Sequence, residues 1–145
     1  MLYSVEEIDT DHDLYELTVA MRQVDLYPVG RVTRSYIQDE LENKSILLVA
    51  LKNRTLLGCG RITIEGDVAR LSHMVVGEEF RFTGVGTSLM KKLMETSKEK
   101  GATKIVLEAS SEAVPFFKSF GFTTVGSTKN LDILDLPASN MELTV

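Results

Sequence analysis

Arg81-Phe82-Thr83-Gly84-Val85-Gly86 is the stretch of this sequence best suited to holding an anion. A β-rich run ends just before it at Val76, and an amphipathic helical pattern starts within it, with Val85, Leu89, Met90, Leu93 and Met94 at three- and four-residue spacing. Glycines at such a strand-to-helix turn leave the unpaired N–H groups and the positive dipole end of the first helical turn uncrowded. That is a phosphate-sized site. Two other nucleotide loops fail on single residues. A dinucleotide fingerprint needs a glycine three positions after Gly86, where Leu89 stands, and a triphosphate-binding loop needs a Gly-Lys pair, which the chain lacks. Groups able to take up a proton lie close in sequence: His73 in the preceding strand, Glu78 and Glu79 just past its end, and Glu108 further on.

The loop resembles the (R/Q)xxGx(G/A) loop of the GNAT N-acetyltransferase superfamily. Val76 lies five residues before Arg81, as that family's fourth strand requires. Ala113-Val114-Pro115-Phe116-Phe117-Lys118-Ser119-Phe120-Gly121-Phe122 is similar to the family's AxxFYxxxGF motif, and both motifs fall in order within residues 68–122. The resemblance implies a GNAT acyl-CoA N-acyltransferase fold of the α/β (α+β) class: a mixed central sheet of about six to seven strands, flanked by about four helices, with splayed parallel central strands. It implies one domain over residues 1–145, and transfer of the acetyl group of acetyl-coenzyme A directly to a primary amine of a small molecule or peptide.

Carried over residue by residue, the resemblance assigns the pantetheine to backbone groups of Met74, Val75 and Val76. It assigns the pyrophosphate to the N–H groups of Phe82, Thr83, Gly84, Val85, Gly86 and Thr87, with Arg81 either bonding phosphate or bracing the loop. Ser110 takes the place of an asparagine that contacts pantetheine in many members. The tyrosine that protonates the leaving thiolate is replaced by Phe117, and Tyr3, Tyr15, Tyr27 and Tyr36 all precede residue 37. A thiol of pKa near ~8.5 is already a fair leaving group, and general-acid help is worth about 10²–10⁴-fold, so Ser110, Ser111 or water suffices as a source of assistance. The amine needs a base, for which the candidates are His73, Glu78, Glu79 and Glu108. Alternation places His73 on the face of Leu71 and Val75, where it fits either a base or a hydrogen-bonded core residue. Cys59, between Gly58 and Gly60, reads as a small core residue; direct transfer calls for no nucleophile, and no metal is expected. A second reading is a noncatalytic acyl-coenzyme A sensing domain that has lost its acid at Phe117. A third is an interaction module whose LDILDLP segment pairs with another chain, as in a homodimer.

The elements that must position these residues are signalled around the loop. Residues 1–8 read as a strand, and Asp9, Asp11 and Asp13 suit the cap of a helix carrying Leu14, Leu17, Met21 and Val24 on one face. Pro28 and Gly30 break it, and a second helical stretch runs over 32–42 with Tyr36, Ile37 and Leu41. An antiparallel meander follows over 46–51, 55–64 and 68–76, with turns at Asn53-Arg54 and Glu65-Gly66-Asp67. Gly101 closes the central helix, and the strand over 103–109 is expected parallel to that over 68–76 because a helix separates them. A short helix over 112–120 ends at Gly121, and strands follow over 122–125 and 141–145, with the stretch 127–139 open between strand, loop and partner edge.

With 145 residues, one core suffices. Hydrophobic residues make up 43% and charged residues 26%, the balance of a globular chain. The longest clean apolar run, residues 46–51, is too short to span a bilayer. A net charge of −5 without a basic block argues against a nucleic-acid partner and favours a cationic or neutral substrate. One cysteine and the absence of a basic, apolar leader lead to an expectation of a cytoplasmic protein.

Overall fold

The computed structural model describes residues 2–27, 32–131 and 137–145, with the backbone alone over 127–131. Seven strands form one mixed sheet: β1 (Ser4–Ile8), β2 (Ile46–Lys52), β3 (Thr55–Glu65), β4 (Val68–Val76), β5 (Lys104–Ser110), β6 (Thr123–Leu131) and β7 (Pro137–Thr144), in the order β1-β2-β3-β4-β5-β7-β6. Among the described residues there are four α-helices: α1 (Tyr15–Met21), α2 (Arg34–Ile37), α3 (Val85–Glu99) and α4 (Val114–Lys118). The chain divides into two compact units, Met1–Thr63 with Leu71–Thr96, and Ile64–Arg70 with Ser97–Val145.

In the first unit, β2 pairs antiparallel with β3, as expected for the first two strands of the meander, with Ile46 opposite Ile62, and β1 adds antiparallel to β2, with Ser4 opposite Leu51. Successive side chains of β3 serve opposite faces. Cys59 belongs to a core of Ile8, Leu14, Tyr15, Val19, Ile37, Val49 and Val75. On the other face, α3 buries Val85, Leu89, Met90 and Leu93. Gly58 and Gly60 let it come close: a Cβ at Gly58 would stand 3.0 Å from Leu89 Cδ1, besides 2.7 Å from the Val75 carbonyl oxygen of β4, and one at Gly60 would stand 2.9 Å from Leu93 Cδ1. The Gly-Cys-Gly triplet is thus a packing device.

The buried face of α1 is not the one its apolar residues suggest. Leu17 and Val24 are 48% and 52% exposed, while Tyr15, Thr18, Val19 and Arg22 are buried. At Arg22 the α-helix gives way to a π-helical segment, Arg22–Leu26. A buried arginine with a buried carboxylate partner sets the orientation, and apolar periodicity cannot register that. The aspartates do not cap α1 either: its N-cap is Leu14, without a side-chain cap, and His12 Nδ1 accepts from the Leu14 N–H at 3.1 Å. The second helical stretch shrinks to α2 and a 3-10 turn, Glu42–Lys44. Between them Asp39 Oδ1 takes the Leu41 N–H at 3.0 Å, a local bond that competes with helix. The break assigned to Pro28 and Gly30 lies outside the described residues. The end of α3 matches its signal: Gly101 has φ 91°, its N–H donates to the Lys98 carbonyl, and the Ala102 N–H to that of Ser97.

In the second unit, β5 runs parallel to the first residues of β4, Val68 opposite Lys104 and Arg70 opposite Val106, as the intervening helix requires. β7 pairs antiparallel with β5 from Lys104↔Thr144 to Ser110↔Ala138, so one strand occupies what reads in sequence as a lead-in and a short strand. β6 extends to Leu131, beyond the expected 122–125, with a register break between Val125 and Asn130. α4 ends as signalled, with Gly121 at φ 98° and the Phe122 N–H donating to the Phe117 carbonyl. Most of the open LDILDLP stretch, 132–136, lies outside the described residues.

Candidate functional site

β4 leads directly into the glycine loop. The Gly77 N–H donates to the Leu57 carbonyl at 2.8 Å, a 3-10 turn covers Glu78–Phe80, and Gly84 caps α3 by accepting the Ser88 N–H at 3.1 Å. Phe82 at φ 64° and Gly84 at φ 90° alternate with their neighbours in handedness, the backbone arrangement that turns successive N–H groups towards one point. None of the six N–H groups from Phe82 to Thr87 donates to an acceptor among the described residues. A Cβ at Gly84 would meet nothing within 4 Å, so the space in front is open. Arg81 braces the loop: its Nε donates to the Val76 carbonyl at 3.4 Å and its Nη2 to the Asp25 carbonyl at 3.3 Å. Thr83 Oγ1 donates to the Phe80 carbonyl. The hydroxyl of Tyr3, not singled out in sequence, lies 2.6 Å from Ser88 Oγ and donates to the Gly84 carbonyl at 3.3 Å.

Further back along β4 lies a buried charged network that sequence reasoning missed. Arg22 and Arg61, both buried, share Glu42: Arg22 Nη2 is 2.6 Å from Glu42 Oε2, and Arg61 Nη1 is 3.1 Å from Glu42 Oε1. Tyr15 donates its hydroxyl to Glu42 Oε2 at 2.6 Å, and Arg61 holds Asp39 Oδ1 and Oδ2 at 2.9 and 3.1 Å. Burial pushes the Glu42 carboxyl up, but the bonds from Arg22 and Tyr15 outweigh it and bring it down to about 2. A usable sequence signal existed for one member: Arg61 interrupts the otherwise apolar Leu56–Ile62 run.

The network ends on β4. Arg61 Nε donates to Ser72 Oγ at 3.0 Å, and Arg22 Nη1 lies 3.2 Å from His73 Nδ1. Two consecutive side chains reach the same arginine pair because His73 has φ 52°, which breaks the strand's alternation. The expected placement of His73 with both Leu71 and Val75 by simple alternation therefore does not describe this strand. Burial first, then the charges of Arg61 and Arg22, lower the imidazole to about 4.

The other candidates are scattered over both units. Glu78 and Glu79 are exposed in the 3-10 turn, and Glu108 is exposed on β5. Ser110 ends β5, exposed, with its carbonyl accepting from the Ala113 N–H at 2.9 Å, while Ser111 Oγ donates to the Pro137 carbonyl at 3.4 Å. Phe117, half-buried on α4, packs edge-on against Phe116 and Phe122. Cys59 is fully buried, and burial pushes its thiol up to about 12, which rules it out as a nucleophile. Among the described residues, no group of three His, Cys, Asp or Glu could hold a metal ion, and no helix is long and apolar enough to cross a membrane.

The model of the GNAT acetyltransferase domain matches residues 18–145 of this chain. An uncharacterized N-acetyltransferase of Bacillus subtilis, YjcF, is 33% identical over 94 residues, covering 65% of this chain and 67% of that protein. Among solved structures, Escherichia coli ElaA superposes with a TM-score of 0.81 at 21% identity, over 97% of this chain and 99% of that one. An aminoglycoside 6'-N-acetyltransferase complexed with coenzyme A superposes with a TM-score of 0.78 at 16% identity, over 97% and 96%. The two structures share the fold; the family model and the relative carry the assignment. The chain belongs to the GNAT acetyltransferase family, and its activity is that of an N-acetyltransferase.

Proposed function

We propose that residues 82–87 hold the pyrophosphate of acetyl-coenzyme A and that the chain acetylates a primary amine. One observation carries the reading: six consecutive backbone N–H groups, at the start of a fifteen-residue helix, have no acceptor among the described residues and face open space at Gly84. This donor set fits a diphosphate, which offers many acceptors and negative charge to the positive end of α3. Gly84 and Gly86 keep side chains out of the way, and Arg81 fixes the loop to Val76 and Asp25.

When bound, the coenzyme supplies the acetyl group as an activated thioester. The backbone of Met74, Val75 and Val76 contributes the pantetheine contacts. Phe117 has no proton to give, so assistance to the thiolate falls to Ser110, Ser111 or water. Glu79, exposed beside the loop, is the carboxylate best placed in sequence to take the proton of the ammonium substrate. The net charge of −5 favours a cationic substrate, and the buried thiol of Cys59 suits the reducing cytoplasm.

Calorimetric titration with acetyl-coenzyme A, with NADH and ATP as controls, tests the assignment. Binding of acetyl-coenzyme A alone is expected, followed by turnover in a screen of primary amines. Absence of binding, or equal binding of ATP, would overturn the loop's role; binding without turnover on any amine would favour a sensor instead.

A further inference from the structure

The charged network fixes the protonation state of the imidazole next to the proposed pantetheine strand. A guanidinium carries donors only, so at the 3.2 Å contact with Arg22 Nη1 the Nδ1 of His73 must accept. A neutral imidazole that accepts at Nδ1 carries its proton on Nε2. Arg22 cannot turn away to relax this. Its Nε donates to the Thr18 carbonyl at 3.2 Å, its Nη2 to Thr18 Oγ1 at 3.0 Å, and its two terminal nitrogens to Glu42 at 2.9 and 2.6 Å. Its guanidinium also lies 5.9 Å over the Tyr15 ring. Arg61 holds Ser72, the preceding residue, at 3.0 Å, so the left-handed turn at His73 is pinned from two directions.

Although the ring is half-buried, Nε2 is not fully closed off. It has no hydrogen-bond partner among the described residues, yet no buried side-chain nitrogen or oxygen among them lacks a partner. The charged groups that face the ring are Arg22 from the π-helical segment, Arg61 from β3, Glu42 from the 3-10 turn and Asp39 from the turn after α2. Both carboxylates are already bonded to the arginines, which leaves neither to compensate a charged imidazole.

We propose that Arg22, locked by Glu42, is a positioning residue that holds His73 as the neutral Nε2–H tautomer. The imidazole then serves acetyl transfer as a fixed hydrogen-bond donor and not as its base. The use of the donor rests on the acetyltransferase reading, whereas the tautomer does not. The proton of the incoming ammonium leaves to water or an exposed carboxylate, and the acid limb of the pH–rate profile belongs to some group other than His73.

The chain has two histidines, His12 and His73, so a His12→Gln variant assigns both signals in a long-range proton–nitrogen correlation spectrum of the full ¹⁵N-labelled chain. His73 is expected to show one bare and one protonated nitrogen, with the proton on Nε2, unchanged from pH 8 to pH 5. A ring that titrates near its ordinary value, or that carries its proton on Nδ1, overturns the proposal without any coenzyme present. Once an accepted amine is known, His73→Ala should lower kcat/KM about tenfold, the worth of one hydrogen bond, and leave the acid limb in place. His73→Gln, which restores an N–H donor, should recover most of the loss. Disappearance of the acid limb in His73→Ala would make His73 the base, and an unchanged kcat/KM would remove the donor from the reaction. Failure of acetyl-coenzyme A to bind would sink the loop assignment and leave the tautomer standing.

Discussion

The glycine loop and the arginine–carboxylate network lie in the same compact unit and are built from opposite materials. From Phe82 to Thr87 the chain presents backbone: six N–H groups without an acceptor among the described residues, a fully exposed Phe82 ring, and glycines where side chains would intrude. From Tyr15 to His73 it hides side chains: two arginines and a glutamate, each less than 10% exposed, bonded to one another and to a tyrosine. A site made of backbone is cheap in stability, because its donors can be solvated when no ligand is present. A network made of buried charge is held only while every partner remains. The two regions should therefore respond differently to mutation, the network through folding and the loop through binding.

The largest expected effect is in the network. Glu42→Ala leaves Arg22 and Arg61 buried without their shared carboxylate and should cost about 3–5 kcal/mol in urea unfolding; a cost under about 1 kcal/mol would show that water replaces the carboxylate. The same region sets the response to acid. His73 is lowered to about 4 from its ordinary value of about 6.5, so the unfolded chain binds a proton that the folded one refuses, and stability falls as pH drops from 6.5 to 4. Glu42 is lowered to about 2 from 4.5, so its contribution is present above pH 4.5 and is lost as pH falls from there to 2. Each gap corresponds to roughly 3 kcal/mol at about 1.4 kcal/mol per pKa unit. Urea midpoints at pH 7, 5 and 4 check the upper window, and His73→Gln should flatten it.

The loop should show the reverse. Gly86→Val places a side chain in the first turn of α3 and should weaken acetyl-coenzyme A binding by about 10²-fold or more, while unfolding stays within about 1 kcal/mol of the parent, because Gly86 is half-buried and valine is no poorer a helix former than glycine. Normal binding by the folded variant would move the site elsewhere. Gly84→Val is the poorer probe, because φ 90° already strains any residue with a Cβ. A Gly86→Val chain that lost several kcal/mol of stability would dissolve the contrast between the two regions.

The same contrast explains what could be read in advance. The loop, α3 and the Phe-Gly-Phe segment follow local rules, since glycine marks backbone that must turn and three-to-four spacing marks a buried stripe. The parallel pairing of β5 with β4 follows from the one helix between them, whereas the place of β7 between β5 and β6 had no signal in the sequence. Arg22, Asp39, Glu42 and Arg61 come from four separate segments, and nothing in their spacing announces that they meet. Once they meet, they override apolar periodicity, which is why Leu17 faces out and Arg22 faces in. The positive φ at His73 belongs to the same class, because it depends on partners that arrive from the π-helical segment and β3.

Tyr3 offers the smallest and sharpest division between the regions, because it is a side chain serving the backbone site. Its half-buried hydroxyl lies 2.6 Å from Ser88 Oγ and 3.3 Å from the Gly84 carbonyl, which already accepts the first helical bond of α3. Tyr3→Phe removes both contacts and leaves the ring. The lost bonds are worth about 0.5–1.5 kcal/mol where partners remain solvated, so the midpoint of urea unfolding should shift slightly. Acetyl-coenzyme A affinity should change by less than about threefold, since none of the six N–H donors is bonded to Tyr3. A tenfold loss of affinity with unchanged stability would mean that the loop depends on Tyr3 for its shape, and that the backbone site is not self-supporting after all.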